Sequence, residues 1–116
     1  MFCKSSEIRE IRRENLQGGP GGAMFFPLIA AGEKPEGSHF KMVARIDLDP
    51  GAAVGEHVHS GDEEVYFIVS GKGIFSEDGV PTEVGPGDTS LTLKGHRHSI
   101  TNTGDVPLVF FAVIAE

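Results

Sequence analysis

Cysteine is almost missing from this chain. Cys3 stands alone near the start of 116 residues, so no internal disulfide can form, and a spare reduced thiol in a cytoplasmic protein is the expectation. No apolar run approaches the ~20 residues that a membrane-spanning helix requires. The N-terminus also lacks the basic start and apolar core of a signal peptide. Basic residues are the minority, 10 against 17 acidic ones, for a net charge of −7. A surface of that sign repels phosphate backbones, which argues against nucleic acid and leaves small molecules as the expected partners. A helical period is missing too, since nothing after residue 17 repeats at helical spacing.

What is present is a series of short strands. A chain of this length buries roughly two-thirds of the surface that its unfolded form exposes, enough for one core. Residues 1 to 22 read as an N-terminal arm and glycine-rich linker. Ile8 and Ile11 suit a helical turn and an extended arm equally, and GGPGG at 18–22 opposes any regular structure. Residues 23 to 116 read as a single β domain. AMFFPLIAA at 23–31 is strand-like, with Pro27 suited to an edge because it lacks a donor. From Ser38 to Asp47 the residues alternate, placing Phe40, Met42, Ala44, Ile46 and Leu48 on one face. Strands with glycine-rich turns every eight to twelve residues predict an antiparallel sandwich or barrel.

The chemistry concentrates in histidine. Four of the five histidines fall into two pairs with one residue between, His57 with His59 and His96 with His98. Residues two apart on a strand share a face, so each pair can converge on one point. Imidazole suits zinc, copper, iron and nickel, and a carboxylate beside it brings manganese into range. Three imidazoles and one carboxylate leave coordination positions open to solvent or substrate.

These residues resemble the two signature motifs of the cupin superfamily. The first runs Gly51, five residues, His57, one residue, His59, four residues, Glu64, six residues, Gly71. The second runs Gly87, five residues, Leu93, one residue, Gly95, two residues, His98, three residues, Asn102, with Leu93 standing where the family pattern has proline. The resemblance covers roughly residues 38 to 115. It implies an all-β, cupin-type jelly-roll barrel of a single domain, and one divalent transition metal ion (Mn, Fe, Ni, Cu or Zn) held by His57, His59, Glu64 and His98. The spacing to Gly71 selects Glu64 over Glu63, and the spacing to Asn102 selects His98 over His96. It further implies a metal-dependent enzyme acting on a small polar molecule, by oxygenase, decarboxylase, isomerase or cyclase chemistry. The alternative is a non-catalytic, metal-dependent binding or sensing module.

Two more residues are candidates for lining the site. Tyr66 shares the Glu64 face and can donate to a substrate or simply fill the core. His96 is expected near the barrel mouth, against the substrate or in solvent. The last strand is apolar on both faces, and Val65, Phe67 and Val69 lie opposite the Glu64 face. A barrel has one interior, so the surplus apolar face predicts a homodimer built by sheet packing.

Overall fold

The computed structural model describes residues 1–116. It contains ten strands, in chain order β1 (Ile11–Glu14), β2 (Gly22–Ile29), β3 (Phe40–Leu48), β4 (Ala53–Val58), β5 (Glu63–Ser70), β6 (Gly73–Glu77), β7 (Val80–Val84), β8 (Thr89–Thr92), β9 (Arg97–Asn102) and β10 (Leu108–Ala115). A single 3-10 turn, Leu16–Gly18, follows β1. All pairings are antiparallel, in a six-stranded sheet of order β1-β2-β3-β10-β5-β8 and a four-stranded sheet of order β4-β9-β6-β7. The two sheets enclose one core in which Leu48, Ile100, Leu108 and Phe110 are fully buried. No helix is long and apolar enough to cross a membrane.

The alternation in β3 sends Met42, Ala44, Ile46 and Leu48 inward as expected. Phe40 departs from that pattern and is 49% exposed. It is the first residue of its strand, beyond the slip in register between Ile114 and Ala115 of β10, where the barrel wall ends. Pro27 lies past Phe25, the last β2 residue that β1 reaches, so β2 is free on one side there, as a missing donor requires.

Residues 11–14, for which the sequence left a helical turn and an extended arm open, form β1 at the sheet edge. Arg13 pairs with Ala23 and Ile11 with Phe25, and directly opposed residues share a face. Ala23 is fully buried and Phe25 packs on the core, so by register Ile11 and Arg13 fall on the inner face and Arg12 and Glu14 on the outer, with Arg13 exposed at this sheet edge. The chain then bends, with Asn15 and Gln17 both in the left-handed region at φ 52° and 50°. Backbone packs on backbone at this bend. A Cβ on Gly55 would lie 2.3 Å from the Gln17 carbonyl oxygen, and one on Gly19 2.3 Å from that of Ala53. Glycine is therefore required at both places for the N-terminal segment to close against β4.

The outer face of the six-stranded sheet is apolar across its middle. Phe111 of β10 stands beside Phe67 of β5, and Val65 beside Leu91 of β8. All four are between 38% and 49% exposed. At the β2 end Arg45 covers the Phe26 ring, with its guanidinium carbon 4.0 Å from the ring centroid.

Candidate metal centre

His57, on β4, faces His98, on β9, as a direct cross-strand pair. That pairing depends on an irregularity. Between the pairs Val54↔Ile100 and His57↔His98, β4 advances three residues while β9 advances two, which is a β-bulge at Gly55 and Glu56. The extra residue reverses the alternation, so that Val54 and His57 both turn inward. His59 follows the end of β4 and is held by two backbone bonds, its N–H to the His96 carbonyl (3.0 Å) and its carbonyl from the Gly95 N–H (2.7 Å). Glu64 comes from β5 in the opposing sheet and is 4% exposed. Three imidazoles and one carboxylate thus meet between the sheets, with one ligand atom from each lying within 4.8 Å of the others.

The orientation of each ring is fixed from behind. The Nδ1 of His57 donates to the Gly55 carbonyl (2.7 Å), and that of His59 to the Asp62 carboxylate (2.6 Å), which also receives Lys41 Nζ (2.7 Å). Both acceptors lack a proton to give, so the ring proton sits on Nδ1. The Thr92 hydroxyl donates to Glu77 Oε1 (3.0 Å) and therefore accepts from His98 Nδ1 (2.7 Å). All three Nε2 atoms are left as lone pairs turned to a common point. The Nε2 of His98 is 2.9 Å from that of His59 and 3.1 Å from that of His57, and Glu64 Oε1 is 3.0 Å from His98 Nε2 and 3.1 Å from His59 Nε2.

Four electron-rich atoms at such spacing repel one another unless a cation lies among them. Two ligands about 2.1 Å from one ion and about 90° apart are separated by about 3 Å, so the donor set fits a divalent transition ion. Without an ion, protons take over part of that role. Glu64 raises the His59 pKa most and Asp62 adds to it, against burial, which lowers it. Burial pushes the Glu64 carboxyl up, but the bonds with His57, His59 and His98 outweigh it and hold the group well below the usual carboxylate range.

A cavity of about 640 Å³ opens beside the four residues, with Met42, Ile46 and Tyr66 in its wall. Tyr66 is 3% exposed and stacks on His98, with ring centroids 4.9 Å apart and planes 17° from parallel. Burial, with Glu64 next, pushes its phenol well up, so the hydroxyl keeps its proton. His96 is placed elsewhere: it is exposed, does not line this cavity, and its Nδ1 is 2.5 Å from Asp78 Oδ2. Asn102 is a turn staple, its amide donating to the Leu48 and Val106 carbonyls (2.9 and 2.8 Å) while its oxygen accepts the Gly104 N–H (2.9 Å).

Sequence reasoning missed Asp62, Thr92 and Arg13. Asp62 had a readable signal, an acid three residues after His59. Thr92 had none, because it meets His98 only through the closing of the two sheets. Arg13 lines the cavity from β1, a segment read as lying outside the barrel.

A jelly-roll barrel with three histidines and a glutamate turned inward defines a cupin, and the chain belongs to that family: it matches the Cupin domain over residues 44–114. It is similar to the oxalate-binding protein of Thermotoga maritima, 40% identical over 116 residues, which cover 98% of this chain and 93% of that one. It is also similar to the crystal structure of a predicted oxalate decarboxylase from Thermotoga maritima, with a TM-score of 0.90 and 37% identity, covering 99% of this chain and 98% of that one. The cupin domain of Schizosaccharomyces pombe Cnp3 shares the fold, with a TM-score of 0.71 at 16% identity, over 90% of this chain and 67% of that one.

Proposed function

We propose that this cupin holds one divalent transition ion on His57, His59, Glu64 and His98 and that the ion takes a small dicarboxylate of the oxalate kind. The observation that carries the reading is the convergence of three Nε2 lone pairs and a carboxylate on one point beside a cavity. When bound, such an ion supplies Lewis acidity and open positions to carboxylate oxygens. The likeness to the oxalate-binding protein supports this choice of ligand among small polar molecules. The protein's own part is to fix the ring orientations through Gly55, Asp62 and Thr92 and to wall the ligand with apolar side chains.

Binding is favoured over turnover by the state of the acids in the cavity. Glu64 faces the imidazoles, and Asp62 is held between Lys41 and His59, so neither is free to shuttle a proton. The enzyme reading rests on Tyr66, whose protonated hydroxyl belongs to the cavity wall. Calorimetry of oxalate against Mn²⁺-loaded protein, with assay of carbon dioxide and formate, tests both. Saturable binding that requires the metal supports the proposal, product release adds the enzyme reading, and equal heats with and without metal refute it.

Two copies are proposed to pair through the outer face around Phe67, Leu91 and Phe111. Light scattering at micromolar concentration should return twice the chain mass, and a monomer mass removes the dimer.

A further inference from the structure

The cavity beside the metal centre contains a charge that the rest of the molecule has left free. Five arginines are present. Arg9 is bonded to Glu33, Arg12 to Glu14 and Asp49, Arg45 to Asp47, and Arg97 lies 3.4 Å from Glu56. Arg13 alone has no carboxylate partner, and it is the one on the inner face of its strand and in the cavity wall. Lys41 also lines this cavity, but Asp62 cancels its charge.

Its placement is built rather than accidental. On one side Arg12 ties β1 to Asp49 at the end of β3, and on the other the Gly19 and Gly55 contacts lock the following bend against β4. The strained left-handed residues Asn15 and Gln17 are held in that bend, and Gln17 also lines the cavity. Arg13 is itself exposed, and an arginine in a cavity wall with no carboxylate partner leaves an unused planar fork of donors, the geometry that matches a carboxylate.

We propose that Arg13 receives the far carboxylate of a dicarboxylate whose near end is held at the metal centre, and that β1 is the element that sets ligand class. This deepens the reading above and rests on it. The charges agree: a divalent ion less Glu64 leaves one positive charge, Arg13 adds a second, and the Lys41–Asp62 pair adds none. Two positive charges match a dianion. A monocarboxylate can occupy the near end alone and has nothing to offer Arg13.

The test uses full-length protein loaded with Mn²⁺ and compares wild type, Arg13→Gln and Arg13→Lys by calorimetry with Mn²⁺, oxalate and acetate. Arg13→Gln should weaken oxalate about 10- to 100-fold, the worth of a charge-assisted pair, and leave Mn²⁺ and acetate affinities unchanged. Arg13→Lys should recover part of the loss, since it restores charge without the fork. Unchanged Mn²⁺ affinity also shows that the variants are folded. Oxalate binding equal in wild type and Arg13→Gln overturns this role and leaves the proposed function standing. Wild type that binds Mn²⁺ but no oxalate overturns both.

Discussion

Tyr66 stands between two cavities of nearly equal size, about 640 Å³ beside the histidines and about 660 Å³ in the seam where β7 and β8, one edge strand from each sheet, run without pairing. The seam groove has three acids of its own, of which Glu83 stands free and the other two are occupied. Asp88 accepts the Gly85 N–H (2.8 Å), and Glu77 accepts the Thr92 hydroxyl. In the histidine cavity the lone pairs face one another with no donor between them. The difference teaches that volume does not mark a site here, whereas unsatisfied lone pairs converging on a point do. The two regions are joined by one chain of bonds, from Glu77 in the groove wall through Thr92 to His98.

The largest expected effect comes from removing a ligand. Saturating the wild type at ~100 times Kd adds about 2.7 kcal/mol of stability, a rise in Tm on the order of 10 °C for a chain of this size. His98→Ala should abolish that rise and the calorimetric binding with it. An equal gain in the variant would mean that the ion binds elsewhere, and the contrast between the cavities would fail. Next comes the joining chain. Thr92→Val keeps the shape but orphans the His98 Nδ1–H and one Glu77 contact. Metal affinity should fall about 10- to 100-fold, as when a partner behind a metal-binding histidine is lost. Affinity within twofold of wild type would show that stacking on Tyr66 alone holds the ring.

Acidity provides a third contrast, smaller and opposite in sign for the two states of the histidine cavity. In metal-free protein the His59 pKa is raised, chiefly by Glu64. Its stabilisation is therefore complete below the unfolded value of about 6.5 and is lost as pH rises through the folded one. Glu64, held low, contributes above about 4.5 and holds through this range. The Tm of metal-free protein should thus fall as the pH rises above about 6.5. Metal-loaded protein should gain over the same interval, because Nε2 must be deprotonated to bind. Parallel slopes in the two titrations would contradict the assignment of the lone pairs.

How much of this could be read from the sequence follows from the range of the interactions. His57, His59, Glu64 and His98 were legible because each lies in a local spacing that a strand period or a family pattern fixes. The inner face of β3 was legible for the same reason. The Gly55 bulge was not, since an extra residue in a ladder is visible only when the partner strand is known. Arg13 was hidden because β1 has four residues, too few for a period, and its face is set by pairing with β2. Thr92 was hidden because β8 reaches His98 across the barrel. The wider outcome is similar: the barrel was foreseeable, while the backbone contact of Gly19 and Gly55 that closes its end depends on two distant glycines meeting.

The smallest expected effect lies in the seam groove. Ser90 Oγ is buried there with no hydrogen-bond partner. A hydroxyl in that condition has paid its desolvation without recompense, so deleting it removes a cost rather than a bond. Ser90→Ala should leave stability unchanged or raise it by up to about 1 kcal/mol in urea unfolding, with metal affinity as in wild type. The Thr92→Val variant sits only two residues along the same strand, yet it should lose affinity because its hydroxyl is part of the bonded chain. A loss of about 1 kcal/mol or more in Ser90→Ala would mean that the hydroxyl has a partner in solution, a water or a ligand. The groove would then be a second polar site, and the comparison between the cavities would have to be redrawn.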